Sequence, residues 1–179
     1  LKTAPELPAT TLAGFCYFRM FLGCTSLEKA PTLSAKTLDT SCYGYMFSGC
    51  TSLKTAPELQ ATDLFLGCYE GMFQGCKSLE SAPELPATTL AIQCYAYMFQ
   101  NCANLSSVTM LAPSDQIKNN SNCCLYWLND AGTNDGITRT LIVTDEAAYN
   151  ALKSNKNYLP AIWKKDATNT TVENYTPKP

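Results

Sequence analysis

A repeat of 26 residues constrains the fold of this chain more than any other feature of its sequence. Leucines recur at that interval in an unbroken register, at Leu1, Leu27, Leu53, Leu79 and Leu105. Alanine or valine follows each leucine after three residues, and proline follows the alanine in the first four copies. A unit this short cannot bury its apolar face alone, so the copies are expected to stack on one another as a solenoid.

A helix is predicted in the second half of every copy. In the first copy Leu12, Cys16 and Met20 lie four residues apart, a spacing typical of one face of a helix, and the next three copies repeat them. The residue before that leucine is a good helix N-cap in each case: Thr11, Thr37, Asp63 and Thr89. Residues that tolerate the left-handed conformation of a C-cap stand at the other end: Gly23, Gly49, Gly75 and Asn101.

A short strand is predicted in the first half of every copy. In the second copy it runs from Leu27 to about Ala30 and is ended by Pro31, which has no N–H for a ladder. The charge of the residue after the repeat leucine alternates in sign from copy to copy, at Lys2, Glu28, Lys54 and Glu80. Opposite charges on neighbouring copies are expected to help set their register and to add little stability. The pattern predicts an α/β fold, a right-handed leucine-rich-repeat solenoid of 26-residue strand-turn-helix coils.

The fifth copy diverges from the others. Residues 123–131 align with residues 94–102 after a three-residue insertion near 118–122, and Trp127 replaces the methionine. We therefore expect the solenoid to occupy residues 1–133, with four full coils and a divergent fifth.

A different pattern follows the repeats. It predicts a strand over 138–144 and a helix over 146–155 that is capped by Asp145. We expect residues 134–179 to form a small C-terminal α/β capping unit and a tail. The first coil, which begins at Leu1, has no such cap, so we expect the chain to continue upstream or a partner or second copy to cover that coil.

The composition argues against several classes of function. The chain has no histidine, which removes the commonest general base and metal ligand together with every Ser-His or Cys-His pair. Its 13 Lys and Arg against 15 Asp and Glu give a net charge of −2, which offers no basic surface to nucleic acid. The repeated acids form rows, which make a poor catalytic cleft. We therefore expect neither an enzyme nor a cofactor.

Eight of the ten cysteines form two columns, with eight residues between the members of each pair. The columns are Cys16, Cys42, Cys68 and Cys94, and Cys24, Cys50, Cys76 and Cys102. Zinc sites favour C-x-x-C pairs, which are absent from the sequence. We favour buried, inert thiols that donate to a carbonyl of the neighbouring coil. Structural disulfides and a metal or reactive role remain alternatives, and Cys123 and Cys124 fit neither column.

The repeats resemble those of a known family. G-C-x-S-L, then A-P-x-L, then C-Y-x-x-M-F recur in that order, as in MFSGCTSLKTAPELQAT and CYAYMFQNCANL. These segments are similar to the BspA-like leucine-rich repeats of surface proteins from gut-dwelling, Gram-negative anaerobic bacteria, and the similarity extends from Leu1 to about Asp130. The resemblance implies an extracellular or outer-membrane location, a lipid anchor in the full-length protein, and a role in adhesion or protein binding.

The predicted sheet face is the first candidate for a binding surface, because repeat solenoids commonly present an extended strand surface. Its outward residues are expected to contact a host matrix or cell-surface protein: Lys2, Glu6, Lys29, Thr32, Lys54, Thr55, Glu58, Glu80, Ser81 and Glu84. The alternative is that these residues only keep the sheet soluble.

A surface glycan-binding component of a polysaccharide uptake system is the second functional hypothesis, and it requires exposed aromatics. Its candidates are Tyr45, Tyr97 and Trp127. Two further aromatic columns are regular. We expect the phenylalanines to pack in the core and the tyrosines to pack with their hydroxyls at the surface, a contact surface being the alternative for the tyrosines. The columns are Phe21, Phe47, Phe73 and Phe99, and Tyr17, Tyr43, Tyr69 and Tyr95.

Overall fold

In the computed structural model, which describes residues 1–177, the chain is an α/β protein with one regular parallel sheet. Residues 178 and 179, which end the predicted tail, lie outside the described residues. The sheet contains, in order, β1 (Ser81–Leu85), β2 (Ser107–Met110), β3 (Arg139–Val143) and β4 (Thr170–Asn174). The helices are α1 (Ser114–Asn119), α2 (Glu146–Ser154) and a short 3₁₀ helix (Ala161–Trp163).

All strand pairs in this sheet are parallel. β2 and β3 pair without interruption, and the buried side chains of Val108 and Leu141 lie side by side in that register. The register of β1 against β2 shifts between Ser81 and Glu84, around Pro83.

The predicted strand of the second copy, from Leu27 to about Ala30 and ended by Pro31, is not formed: that copy has only isolated bridges to the first copy, at Lys29, Leu33 and Thr37, on both sides of the proline. In the fourth copy the strand continues past the equivalent Pro83 through an irregularity of the kind that accommodates proline.

Successive copies of the repeat lie side by side, and each copy has two parts that lie against the neighbouring copy. We call the first part of each copy the strand arm: residues 1–12, 27–38, 53–64, 79–90 and 105–112. We call the second part the turn arm: residues 13–24, 39–50, 65–76, 91–102 and 120–131. The junction between two successive copies is a seam, and the seams are numbered from the N-terminus.

The turn arm is not helical, so the prediction of a helix in each copy is wrong. Every second N–H in the arm donates to the carbonyl three residues earlier, as from Cys16 to Ala13, which closes a series of overlapping β-turns. The N–H groups between them donate to the next copy, as from Tyr17 to the Cys42 carbonyl at 3.0 Å. The backbone therefore divides its donors between its own turns and its neighbour, which a helix cannot do.

Left-handed residues occur at every fourth position of the turn arm. In the third copy they are Gly67, Gly71 and Gly75, with φ of 57°, 57° and 72°. Elsewhere the same positions hold side chains, as at Tyr45 and Tyr97. Because the turns repeat every four residues, side chains at i, i+4 and i+8 lie on the same face. The four-residue spacing that indicated a helix therefore arises from these turns. The predicted N-caps lie in bridges between copies instead, Thr11 with Thr37 and Asp63 with Thr89.

The core runs between the two arms and is built from columns of identical residues. The phenylalanine rings of successive copies stack with centroids 5.6 to 5.8 Å apart, as the sequence predicted for the core. Met46, Met72 and Met98 are fully buried beside them. Met20 of the first copy is 46% exposed, because no further copy covers it in the structure.

The strand, the helix and the helix cap predicted after the repeats are confirmed. β3 and α2 lie within the ranges predicted for a strand and a helix, and the Asp145 carboxylate caps α2 by accepting the Ala148 N–H at 2.8 Å. The unit is fixed to the fifth copy by the indole of Trp127, which donates to the Tyr158 carbonyl at 2.6 Å. The Trp163 indole donates to the Ala131 carbonyl at 3.0 Å. β2 and β3 pair directly, so one sheet contains strands from both sides of residue 133, where the sequence predicted the end of the solenoid.

Candidate functional site

The ten residues predicted to form a binding surface are all exposed on the strand arm: Lys2, Glu6, Lys29, Thr32, Lys54, Thr55, Glu58, Glu80, Ser81 and Glu84. They share this surface because each follows a repeat leucine by the same few residues in successive copies. The surface is polar and carries both signs of charge.

The expected charge pairing is formed at the first seam. The Lys2 ammonium lies 3.3 Å from the Glu28 carboxylate, and both side chains remain more than half exposed. Such an exposed pair contributes about 0–1 kcal/mol, so it helps the register and adds little stability. Glu80 and Lys54 are joined through their backbones, the Glu80 N–H donating to the Lys54 carbonyl at 3.3 Å.

Pairing along the strand arm is uneven from seam to seam. Isolated parallel bridges close the first seam, including Thr3 with Lys29, and the third seam, including Thr55 with Ser81. The fourth seam is the regular pairing of β1 with β2. Within residues 1–177, no backbone hydrogen bond joins residues 27–38 to residues 53–64 across the second seam. The strand arm is open at that seam.

Two open depressions lie along this second seam. One, of about 330 Å³, is lined by Lys29, Thr32, Thr55 and Glu58 above a floor that includes Pro31 and Pro57. The other, of about 470 Å³, is lined by Glu28, Ser52, Lys54 and Ser78, so it crosses the second seam and extends over the third. Five of the ten predicted surface residues therefore line a concave surface, which sequence periodicity alone did not distinguish from the rest.

A third depression, of about 310 Å³, lies on the regular part of the sheet. One row of the β-ladder crosses its floor from Glu84 through Thr109 and Ile142 to Glu173. The sequence identified Glu84 and missed the other three, because the period ends before β3 and β4 and nothing in the repeat indicates which strands lie beside it. The two acids stand at opposite ends of the row, on β1 and β4.

The cysteine columns belong to the turn arm, and the ten cysteines are free in the structure. The thiols of Cys50, Cys76 and Cys102 donate to the carbonyls of Phe21, Phe47 and Phe73 in the preceding copy, at 3.0 to 3.2 Å. These contacts confirm the predicted thiol-to-carbonyl bond for three cysteines of the second column. The prediction of a buried thiol is wrong for Cys16 of the first copy, which is exposed. Burial raises the pKa of Cys50 and of Cys102 to about 12, so both stay protonated and unreactive at neutral pH.

Cys123 and Cys124, which fit neither column, are both fully buried beneath the C-terminal unit. The Cys123 thiol donates to the Ile117 carbonyl at 3.5 Å. Burial raises the pKa of Cys124 well above its usual value. Among the residues the structure describes, no group of three His, Cys, Asp or Glu side chains is arranged to hold a metal ion.

The aromatic candidates for glycan binding are mostly engaged in packing. Trp127 is fully buried, so its selection as an exposed platform is wrong: it fills the place of the repeat methionine in the core. Tyr45 is half-buried, donates to Glu70 at 2.8 Å and packs edge-on against Phe18. The Tyr97 ring lies 5.8 Å from the partly exposed Tyr126 ring.

The regular tyrosine column is more deeply buried than predicted. Tyr43, Tyr69 and Tyr95 are at most 1% exposed, and successive rings stack 5.8 to 6.1 Å apart. The Tyr95 hydroxyl is buried without a hydrogen-bond partner among the described residues, so the expectation of a surface hydroxyl is wrong there. This column packs the core and offers no contact surface.

Comparisons with known proteins add no assignment to this geometry. No protein-family model, curated protein or solved structure matches the chain. Over residues 1–177, no helix has the length and apolar character needed to span a membrane.

Proposed function

We propose that this chain is a right-handed leucine-rich-repeat solenoid of the BspA-like kind, and that its strand-arm surface binds other proteins outside the cell. The 26-residue period, the side-by-side copies and the column-built core support the solenoid. The resemblance of the repeat motifs supports an adhesion role at the bacterial surface. The partner is a host matrix or cell-surface protein.

The observation that carries this proposal is the concave, polar lining of the second seam. Protein-binding surfaces need hydrogen-bonding groups, charges of both signs and some apolar area for a partner to cover. Lys29, Thr55 and Glu58 supply the first two, and Ala30 and Ala56 lie among them. The turn arm, by contrast, contributes the buried columns of the core, and the side chains it exposes include the apolar Phe65, Leu66 and Ile92.

The chain is proposed to act without catalysis. A general base or nucleophile needs a perturbed environment within reach of a partner group. In the structure, the groups with raised pKa values are buried thiols and tyrosines, and the exposed acids stand in separate rows. The strand-arm surface offers recognition chemistry.

A direct test is binding of the purified chain to a panel of extracellular-matrix proteins and, in parallel, to a glycan array. The strand-arm variant Lys29→Ala/Thr55→Ala/Glu58→Ala is compared with a control variant that removes the same charges, Lys77→Ala/Thr25→Ala/Asp135→Ala, whose residues are exposed elsewhere. We expect matrix-protein binding that the first variant loses and the control retains.

Glycan binding that survives both variants would contradict the protein-binding proposal. It would favour the second hypothesis, a glycan-binding component, and direct attention to the Tyr97 and Tyr126 pair. A Tyr126→Ala variant then separates the two functions, because that residue lies on the turn arm and outside both depressions of the second seam.

A further inference from the structure

The open seam leaves one set of backbone groups unpaired in an otherwise regular column. The residue after the repeat leucine donates its N–H to the preceding copy at the first, third and fourth seams: from Glu28 to Lys2, from Glu80 to Lys54 and from Ser106 to Glu80. The donor to acceptor distances are 2.9, 3.3 and 2.8 Å. The equivalent Lys54 N–H makes no backbone hydrogen bond among the described residues.

The same interruption recurs at the far end of the strand arm. Leu12 donates to Thr37 across the first seam and Leu64 donates to Thr89 across the third, each at 3.0 Å. The Leu38 N–H, which stands between them in the column, has no such acceptor in the part of the chain described. The opening therefore extends along the whole strand arm at this seam.

The turn arm of the same seam is fully closed. Five N–H groups cross it, the shortest from Tyr45 to Glu70 and from Gly49 to Gln74 at 2.7 Å. The Tyr43 and Tyr69 rings stack at 5.8 Å, as at the neighbouring seams. The two copies are thus joined along the turn arm, while their strand arms face each other without backbone hydrogen bonds. We call the two depressions on these strand arms the cleft.

The lining of the cleft selects among ligands. Its charged residues, Glu28, Lys29, Lys54 and Glu58, are two acids and two bases, so a polyanion such as nucleic acid or a sulfated glycan meets as much repulsion as attraction. None of the residues that line either depression is aromatic, which removes the stacking platform that a neutral sugar needs. Small aliphatic residues and prolines form the floor.

We propose that the second seam is a binding groove for an extended peptide segment of a partner protein, held by backbone hydrogen bonds to the open strand-arm edges. This inference rests on the proposed protein-binding function and names the chemistry of the partner. An extended chain presents N–H and C=O groups alternately along both of its edges, which is what two facing unpaired segments require. Charges of both signs at the rim match side chains of either sign on the peptide.

The groove suits a short segment. Residues 28–33 of one edge span about 20 Å at about 3.3 Å per residue, which corresponds to a peptide of roughly six residues. A depression of about 330 Å³ also lies within the size range of small-ligand pockets. Lys54 and Thr55 lie within reach of one end of such a peptide and Glu58 of the other.

The test uses a display library of random peptides about ten residues long, panned against the purified chain. The strongest binders are then synthesised in normal form and with alternate backbone nitrogens methylated. N-methylation removes the peptide donors and leaves the side chains in place, so backbone pairing predicts a loss of affinity of about tenfold or more.

Two matched variants locate the site. Thr55→Trp fills the cleft, and Thr3→Trp places the same side chain at the equivalent position of the first copy, where the bridge from Thr3 to Lys29 closes the seam. Both parent residues are exposed, so both variants are expected to fold, which circular dichroism checks. We expect Thr55→Trp to weaken peptide binding by about tenfold or more and Thr3→Trp to leave it unchanged.

Failure of this inference is distinguishable from failure of the proposed function. Matrix-protein binding that depends on Lys29, Thr55 and Glu58, combined with peptides that bind equally well when N-methylated, would overturn the groove and leave the protein-binding surface standing. A library that yields no binder, or binders equally sensitive to Thr3→Trp, would also overturn it.

Discussion

The two arms of each repeat copy lie against the same neighbours and are joined to them in different ways. Along the turn arm five N–H groups cross every seam, and the side chains behind them form buried columns of phenylalanine, methionine and cysteine. Along the strand arm the pairing changes from isolated bridges to an open seam and then to a regular sheet.

The turn arm holds the copies together and the strand arm varies. In the turn arm, half of the N–H groups close local turns and the others donate to the next copy, so this arm keeps the copies in register at every seam. The strand arm differs from seam to seam in its pairing and in its exposed side chains. A repeat protein can therefore leave one seam of its strand arm unpaired without losing its core.

The largest expected effect is the loss of a buried turn-arm ring. Phe73→Ala removes a fully buried side chain that stacks between Phe47 and Phe99, and we expect it to lower the free energy of unfolding by about 3–5 kcal/mol. Glu58→Ala on the strand arm is expected to change it by less than about 0.5 kcal/mol. Urea unfolding followed by circular dichroism compares the two, and similar losses would remove the distinction between the arms.

The left-handed positions of the turn arm provide the next test. Gly71 has φ of +57°, and a Cβ added there would lie 2.3 Å from the Tyr45 ring. Gly71→Ala is expected to cost about 2–3 kcal/mol from backbone strain and overpacking together. In a Tyr45→Ala background the ring is gone, and the cost should fall to about 1 kcal/mol. An unchanged cost in that background would show that the close approach is not the cause.

Alkaline pH should weaken the turn arm, which carries the buried thiols. The pKa of Cys102 is raised by burial from 9.0 to about 12, so between those values the unfolded chain releases a proton that the folded chain keeps. Stability is therefore complete below pH 9 and falls above it, by about 1.4 kcal/mol per pH unit for each such thiol. Urea unfolding at several pH values gives the slope, and Cys102→Ala should make it shallower by that amount. A slope that the variant leaves unchanged would argue against a buried, protonated thiol.

The smallest effect is expected from the salt bridge on the strand arm. A double-mutant cycle of Lys2→Ala and Glu28→Ala should give a coupling energy below about 1 kcal/mol that decreases with added salt. A larger coupling, insensitive to salt, would mean that the strand arm contributes more to holding the stack than its exposed contacts indicate.

Much of the fold could be predicted from the repeat period because identical residues at identical positions must share one environment. The buried phenylalanine column, the thiol-to-carbonyl bonds of three cysteines and the Asp145 cap follow from position and residue type alone. The prediction of a helix in each copy was wrong because a spacing of four residues fits both one face of a helix and a repeated four-residue turn. The glycines at 67, 71 and 75 were the distinguishing signal, since a helix interior disfavours three of them.

The candidate surface could be predicted only as far as the period reaches. Exposure of the strand-arm residues follows from their alternation with buried leucines, and the ten residues are exposed. The opening of one seam depends on how two particular copies differ from the rest. One position of the repeat is proline in the first and fourth copies, at Pro8 and Pro86, but Ser34 in the second copy and Gln60 in the third. Proline restricts φ. The first and third seams therefore each include one copy with this proline, whereas the open second seam, between the second and third copies, includes none.

The most direct test of the open strand arm is amide hydrogen exchange in the free protein, measured residue by residue by NMR. The Lys54 N–H is compared with its equivalents at the closed seams, Glu28, Glu80 and Ser106. An open second seam predicts that the Lys54 amide exchanges about a hundredfold faster than those three, or more, while the turn-arm amides of Tyr43 and Phe47 in the same seam stay protected. Equal protection of all four column amides would show that the strand arm is closed in solution and would contradict both the comparison of the two arms and the peptide groove.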